Sequence, residues 1–219
     1  MNNLSSLPLI YLITNRLQYS PHYHLQLEAI ALAAQIVPPG QLLIQIREKD
    51  WSARELREFV RVVCSTAQPH GARVLVNDRL DVALATGADG VHLRTSSLFT
   101  ADARRIVHRE NFLVGVSTHS LEEARLAHDN GADFIVCGPV YHTPSKADYG
   151  APMGLGRFAE ICERIKLPVL ALGGITMANF REPLTVGAAG IAGIGLFKNI
   201  DELGTNLKMM LSSPLIPQD

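Results

Sequence analysis

The first residues suited to chemistry follow an apolar run at Leu42–Ile46. Gln45, Arg47 and Lys49 stand at alternate positions there, and side chains two residues apart point to the same side of a β-strand. An amide and two cations on one side are costly to bury unless an anion or a carboxylate meets them. This spacing predicts a site that binds a negatively charged ligand.

Polar side chains also follow four later apolar runs that have the composition of strands. They are Asn77 and Asp78, His92 and Arg94, Ser117 and His119, and Thr143, Ser145 and Lys146. Taken alone, each set could be a helix cap or a surface charge. Polar residues at five neighbouring strand ends together favour one shared site, because the carboxyl ends of parallel strands meet at the same end of a barrel.

The segment Tyr141–Met153 is longer than the usual connection of about 2–6 residues between a strand and a helix. The hydroxyls of Thr143 and Ser145 and the ammonium group of Lys146 suit a phosphate or diphosphate. We interpret the segment as a lid that binds an anion and closes over the site. The alternative is a surface loop without function.

Two glycine-rich turns lie near the C-terminus. Gly173 and Gly174 end the apolar run PVLAL, and the segment Gly187–Gly195, GAAGIAGIG, repeats the pattern. Two consecutive strands that end in glycine and lead into helices are typical of the phosphate cup at one mouth of a (β/α)₈ barrel. A pair of tight turns without a ligand is the alternative.

Eight apolar runs alternate with eight helical patterns, and these elements must position the polar residues. The predicted strands are Leu9–Asn15, Leu42–Glu48, Arg73–Asp78, Gly90–Leu93, Leu113–Thr118, Phe134–Pro139, Val169–Gly174 and Gly190–Gly195. The predicted helices are Leu25–Ile36, Ala53–Ala67, Leu80–Thr86, Thr100–His108, Leu121–Asn130, Leu155–Ile165, Ala178–Val186 and Ile200–Leu211.

This alternation predicts an α/β fold in which eight parallel strands close into a (β/α)₈ TIM barrel. Residues 1–219 form a single domain in this interpretation. A doubly wound open sheet is the alternative, but it would need a glycine-rich fingerprint after the first strand. The segment Leu12–Arg16 has none.

Composition limits the partners. The net charge of −1 gives no basic surplus for nucleic acid, and no apolar run reaches the ~20 residues of a membrane span. The N-terminus lacks a charged signal-peptide head, and Cys64, Cys137 and Cys162 share no short spacing. We therefore expect a cytoplasmic protein that acts on small molecules, without nucleic acid or membrane partners. A homo-oligomer is left open.

Six segments of the chain resemble the family that contains thiamine phosphate synthase and the TenI-type thiazole tautomerase. They are Gln45–Lys49, Val76–Leu84, Ala88–Leu93, Gly115–Ala124, Gly131–Lys146 and Pro168–Thr176. The resemblance spans nearly the whole chain and is closer to the synthase. It implies a (β/α)₈ barrel and a transferase of thiamine biosynthesis, which joins hydroxymethylpyrimidine diphosphate to thiazole phosphate with Mg²⁺ and releases diphosphate.

The resemblance also implies a role for each site residue. The residues of the pyrimidine and diphosphate end would be Gln45 on the pyrimidine, Arg47, Lys49, Asn77 and Lys146 on the diphosphate, Ser117 beside both, and Asp78 on Mg²⁺. The residues that meet the thiazole and its phosphate would be Thr143, Ser145, Gly174, Ile194 and Gly195. Arg47, Lys49, Ser117 and Lys146 would be the catalytic residues among them.

Two departures from the synthase pattern bear on the function. Ser97 stands where the synthase has a second carboxylate ligand for Mg²⁺, and the segment LRTSSLF looks closer to the tautomerase branch. If Arg94 turned inward, it would neutralise diphosphate in place of the metal. Mg²⁺ tolerates one protein carboxylate when phosphates and waters complete its octahedron.

The second departure concerns the tautomerase, which shifts a proton and needs a base such as histidine. Pro139 stands where that branch has its histidine, and His119 and His142 are the nearest substitutes. A thiazole phosphate tautomerase is therefore the alternative function. A non-catalytic paralogue that binds thiazole phosphate or thiamine phosphate is the third interpretation.

Overall fold

The computed structural model describes residues 4, 9–19, 22, 24–143 and 151–213 of the chain. Eight strands alternate with eight α-helices in this part. The strands are β1 (Leu9–Ile13), β2 (Leu42–Ile46), β3 (Arg73–Asn77), β4 (Gly90–Leu93), β5 (Leu113–Thr118), β6 (Phe134–Cys137), β7 (Val169–Ala171) and β8 (Gly190–Gly193). The helices are α1 (His24–Ile36), α2 (Ala53–Ala67), α3 (Leu80–Thr86), α4 (Thr100–Ile106), α5 (Leu121–Asp129), α6 (Gly154–Arg164), α7 (Arg181–Thr185) and α8 (Ile200–Leu211).

The strands form a closed barrel in chain order. Each strand pairs in parallel with its neighbours, and β1 completes the ring by pairing with β8, with Leu9 opposite Gly190. Helices cover the outside, so both faces of the sheet are buried, as parallel sheets require. The predicted (β/α)₈ barrel is confirmed.

Alternation along each strand divides the core into two clusters. In β2, Leu43 faces the barrel interior, whereas Leu42, Ile44 and Ile46 pack under the helices. The interior cluster consists of Leu9, Tyr11, Ile13, Leu43, Leu75, Leu113, Phe134, Val136, Leu170 and Ala192. Because Gln45 follows Leu43 by two residues, the same alternation turns its side chain inward.

Gly115 leaves the space that the Phe134 ring fills inside the barrel. A Cβ atom at position 115 would lie 2.3 Å from Cζ of Phe134. The ring stands edge-on to Tyr11, with 5.5 Å between ring centroids, and lies 6.1 Å from the ring of His92. The glycine therefore allows the Phe134 ring to pack against Tyr11 and His92.

The N-terminal end of the barrel is held by two aspartates in repeated Gly-Ala-Asp segments. Asp89 accepts a hydrogen bond from the backbone N–H of Val74 at 2.8 Å, and Asp133 accepts one from Val114 at 2.6 Å. The preceding glycines, Gly87 and Gly131, have φ of 77° and 86°, a left-handed conformation that glycine adopts without steric cost. These contacts tie each segment to the strand beside it.

Several strand and helix boundaries differ from the predicted ones. Strand β7 ends at Ala171 rather than Gly174, and α7 begins at Arg181 rather than Ala178. Between them, Asn179 accepts a hydrogen bond from the backbone N–H of Thr176 at 2.8 Å, which makes a turn of residues that were predicted to be helical. No helix in the described part of the chain is long and apolar enough to cross a membrane.

Candidate active site

Four side chains form a chain of hydrogen bonds across the barrel interior. The Gln45 amide nitrogen donates to the Tyr11 hydroxyl at 3.0 Å, and that hydroxyl lies 3.0 Å from Nδ1 of His92. Nε2 of His92 lies 2.9 Å from the hydroxyl of Ser117. The four residues come from β2, β1, β4 and β5, so only the closed barrel brings them together.

The tautomer of His92 sets what the two ends of this chain can do. When His92 carries its proton on Nε2, Tyr11 accepts from Gln45 and donates to Nδ1, and Nε2–H donates to Ser117. The Ser117 hydroxyl keeps its own proton to donate elsewhere, and Oε1 of Gln45 accepts no hydrogen bond within the described residues. A ligand in the barrel mouth therefore meets an acceptor at one end and a donor at the other.

The interior of the site is uncharged at neutral pH. Burial lowers the pKa of His92 to about 3, although the nearby Asp78 charge opposes this shift and that of Arg47 adds to it. Burial also raises the pKa of Tyr11 far above its usual range. The charges of Arg47 and Asp78 both act on His92, so both residues lie near it.

The polar residues after β2 have different roles, because Glu48 binds other parts of the fold whereas Arg47 lies near the hydrogen-bond chain. The backbone N–H of Arg47 donates to the hydroxyl of Thr14 at 2.8 Å. Glu48 is 5% exposed and accepts hydrogen bonds from the Gln26 amide at 2.8 Å and from the backbone N–H of Arg16 at 3.1 Å. Its carboxylate thus holds α1 and the segment after β1. Arg47 follows Gln45 by two residues directly after β2, whereas Lys49 is exposed in the next turn, where strand alternation no longer applies.

Asp78 directly follows β3 in a left-handed conformation, with φ of 58°. Its Oδ2 atom accepts hydrogen bonds from Nε of Arg94 and from the amide of Asn77, the latter at 3.2 Å. Its Oδ1 atom accepts from the hydroxyl of Ser97 and, at 3.4 Å, from the backbone N–H of Arg94. Both carboxylate oxygens are therefore occupied by protein donors.

This arrangement does not fit the Mg²⁺ that the family resemblance implies at Asp78. A carboxylate offers about four lone-pair sites, and four donors meet those of Asp78. Within the described ranges, no group of three or more His, Cys, Asp or Glu side chains could hold a metal ion. A cation at Asp78 would have to displace the Arg94 guanidinium.

Two turns at the ends of β7 and β8 offer backbone N–H groups. Gly173 and Gly174 have φ of 98° and 67°, and a Cβ atom at position 174 would lie 2.5 Å from the carbonyl oxygen of His142. After β8, Ile194 precedes a short 3₁₀ helix at Gly195–Phe197. No hydrogen bond between described residues uses the N–H of Gly174 or of Gly195.

Known proteins similar to this chain share its fold and much of its sequence. The sequence profile of the thiamine monophosphate synthase family matches residues 10–197. The chain belongs to the thiamine monophosphate synthase family. It is 46% identical over 183 residues to a protein of Geobacter sulfurreducens, an alignment covering 84% of this chain and 83% of that one.

Two named relatives are also similar. A thiamine-phosphate synthase of Methanospirillum hungatei is 41% identical over 183 residues, which are 84% of this chain and 86% of that protein. The solved structure of a thiamine phosphate pyrophosphorylase from Pyrococcus furiosus superposes with a TM-score of 0.78 at 32% identity. That superposition covers 94% of this chain and 98% of the other.

Several residues that the sequence predicted for the site do not belong to the hydrogen-bond chain, or lie outside the described residues. Thr143 is half-buried and already has an interaction, whereas Ser145 and Lys146 lie outside the described residues. His119 is exposed and its Nδ1 lies 3.2 Å from Glu123 at the start of α5. His142 is exposed next to the turn at Gly174.

Tyr11 was not singled out from the sequence, and His92 was named only as one of the polar residues at the strand ends. Tyr11 stands within the apolar run LIYLI, and His92 lies between Val91 and Leu93. Both stand at positions whose side chains point into the barrel. Tyr11 belongs to the interior cluster, and His92 alternates with Val91 and Leu93, which pack under the helices. A polar side chain at an inward position of a strand was the signal in the sequence that could have identified both residues.

Proposed function

We propose that this chain is a thiamine phosphate synthase. It would transfer the hydroxymethylpyrimidine group from its diphosphate to the nitrogen of thiazole phosphate and release diphosphate. The observation that carries the proposal is the buried hydrogen-bond chain from Gln45 to Ser117 at the carboxyl ends of the strands. Arg47 follows Gln45 by two residues, and Asn77 lies in register with His92. Chemistry occurs at this end of the barrel throughout the fold class.

The proposed reaction asks the protein for charge stabilisation and positioning rather than for proton transfer. The bond between the pyrimidine methylene carbon and the diphosphate oxygen breaks, and its electron pair leaves with the diphosphate. The thiazole nitrogen then forms a bond to the methylene carbon. Arg47, Lys49 and Asn77 would bind the leaving diphosphate, and groups aimed at developing charge in a dry site account for much of catalysis.

The other parts of the site would hold the two ring systems. Oε1 of Gln45 is the acceptor available to the pyrimidine, and the Ser117 hydroxyl is a donor available where the pyrimidine meets its diphosphate. The backbone N–H groups of Gly174, Ile194 and Gly195 would bind the thiazole phosphate, with Thr143 and Ser145 beside it. Holding the acceptor nitrogen in line with the methylene carbon supplies the orientation that such a step needs.

The tautomerase alternative lacks support. Its proton shift needs a base with a pKa near the working pH, but burial lowers the pKa of His92 to about 3. His119 is engaged with Glu123, and Pro139 cannot titrate. The named relatives are thiamine-phosphate synthases, which favours the transferase.

The proposal includes a cytoplasmic location and small phosphorylated substrates as the partners. Cys64, Cys137 and Cys162 are buried and not bonded to one another. Thiols persist in a reducing compartment.

The decisive experiment is a turnover assay with purified protein, the pyrimidine diphosphate, thiazole phosphate and a Mg²⁺ series. Thiamine phosphate and diphosphate should form in equal amounts. If a folded protein binds thiazole phosphate but forms no product, it is a binding paralogue. If it consumes only the thiazole tautomer, it is a tautomerase.

Lys146 is predicted to be essential for this turnover. Replacing Lys146 by alanine should lower kcat about 100-fold or more, because one cationic donor to developing charge accounts for roughly that factor. The melting temperature should change little. Lys166→Ala is the control, since Lys166 lies between α6 and β7, away from the site. Turnover of Lys146→Ala at the rate of the control would exclude the assigned role.

A further inference from the structure

We propose that the Arg94 guanidinium, held on Asp78 beside Ser97, takes the place of a divalent cation on the diphosphate. The proposal rests on the proposed function and concerns how the same site neutralises its substrate. It follows from the contacts of Asp78, from the charge of the cluster and from the donors that Arg94 leaves available.

The first argument is the coordination of Asp78. Its side chain is 19% exposed, and its two oxygens accept hydrogen bonds from Arg94, Ser97 and Asn77. These donors use about all the lone-pair sites of a carboxylate. Mg²⁺ demands near-ideal octahedral geometry and sheds its waters reluctantly, so it competes poorly for oxygens that already have four donors.

The second argument is charge. Asp78 contributes one negative charge and Arg94 one positive charge, so this pair is neutral, and Ser97 adds no charge to it. A second carboxylate at position 97 would make the cluster negative and attract a divalent cation. With serine there, the cation gains no net attraction from the cluster and is repelled by the guanidinium.

The third argument is the set of donors that Arg94 keeps. Only Nε of its guanidinium bonds to Asp78, and neither Nη1 nor Nη2 makes a hydrogen bond within the described part of the chain. The side chain is 51% exposed. Two parallel Nη–H donors match the spacing of phosphate oxygens, so Arg94 can remain on Asp78 and still bind diphosphate.

The position of the cluster agrees with this role. The backbone N–H of Asp78 donates to the carbonyl oxygen of His92 at 2.9 Å, which joins the end of β3 to β4. Arg94 follows His92 by two residues, and His92 also experiences the charge of Arg47. Arg47 follows β2 and Arg94 follows β4, the two strands next to β3. A diphosphate at the end of β3 would therefore have an arginine on each side.

The chemical step needs no proton from Arg94. When the carbon–oxygen bond to the diphosphate breaks, the electron pair stays on the departing oxygen. The guanidinium stabilises that charge by hydrogen bonding.

The test compares Arg94→Met with Arg79→Met. Arg79 pairs with Asp81 on the surface, so its loss is the matched control for removing an arginine next to Asp78. Binding of inorganic diphosphate is measured by calorimetry in excess chelator. We expect Arg94→Met to weaken this binding at least 10-fold and Arg79→Met to leave it within twofold. Equal weakening by both, or no weakening by either, would overturn the proposal.

A second variant tests the metal side of the argument. Arg94→Gly combined with Ser97→Asp should bind Mg²⁺ at least 10-fold more tightly than the unaltered protein, as measured by calorimetry without substrate. Its turnover should also become strongly sensitive to chelator, whereas the unaltered protein should keep at least a tenth of its rate. Tight Mg²⁺ binding by the unaltered protein would refute the inference.

The two proposals fail differently. If the unaltered protein makes thiamine phosphate only with Mg²⁺, the proposed function stands and the role of Arg94 is wrong. If no product forms at any Mg²⁺ concentration, the proposed function is wrong. Diphosphate binding in chelator then still decides the role of Arg94.

Discussion

Replacing Arg47 by methionine should lower kcat/KM for the pyrimidine diphosphate about 100- to 1000-fold. Loss of one preorganised donor to developing charge costs about 2.7–4 kcal/mol of transition-state stabilisation. Arg47 follows the inward-facing Gln45 by two residues, and its charge acts on the buried His92. Methionine keeps much of the side-chain length while removing the charge.

The control for this prediction is Arg125→Met. Arg125 is exposed on α5, on the outer layer of the barrel, so its replacement should leave kcat/KM within about twofold, as is usual for surface changes. Thermal unfolding of both variants separates catalysis from folding. If Arg47→Met and Arg125→Met have the same kcat/KM, Arg47 does not bind the leaving group.

Acidification from pH 7 to pH 5 should remove about 2 kcal/mol of the free energy of unfolding through His92 alone. Burial lowers its pKa in the folded state to about 3, against 6.5 for an exposed histidine. Below pH 6.5 the unfolded chain takes up a proton that the folded protein does not. Stability therefore falls by about 1.4 kcal/mol for each unit between pH 6.5 and pH 3, and it is fully retained above pH 6.5.

The measurement is urea unfolding at pH 7 and pH 5 for the unaltered protein and for His92→Gln. The other seven of the eight histidines are exposed, so their contributions cancel in the comparison. Glutamine cannot titrate, and its variant should be less stable at pH 7 but should lose about 2 kcal/mol less on acidification. An identical pH dependence would mean that His92 is protonated inside the folded barrel.

The fold could be predicted because each strand and helix has its own local signal. Strand ends were less accurate: β2 ends at Ile46, although the alternation continues to Glu48. The pattern reports where side chains point, whereas a strand ends where its ladder of hydrogen bonds ends. The end of β7 was predicted too late for the same reason. Gly173 and Gly174 continue the apolar run in the sequence, although their backbone forms a turn.

The sequence did not predict how the candidate site residues are connected. Gln45 and Ser117 were predicted to be site residues, and the barrel links them through Tyr11 and His92. The pairing of Asp78 with Arg94 depends on the conformation after β3 and β4. The sequence indicated only that Ser97 replaces a carboxylate and that an inward Arg94 could substitute for metal.

The contacts of Glu48 have a consequence for how the protein can change over evolutionary time. Glu48 is fixed by Gln26 and by the backbone of Arg16, while Gln45 is fixed inside the barrel by Tyr11. Insertion of one residue between Gln45 and Glu48 would therefore exchange inward and outward side chains. Substitutions can accumulate in this segment one at a time, but insertions and deletions would disturb the proposed pyrimidine contact of Gln45 and the folding contacts of Glu48 together.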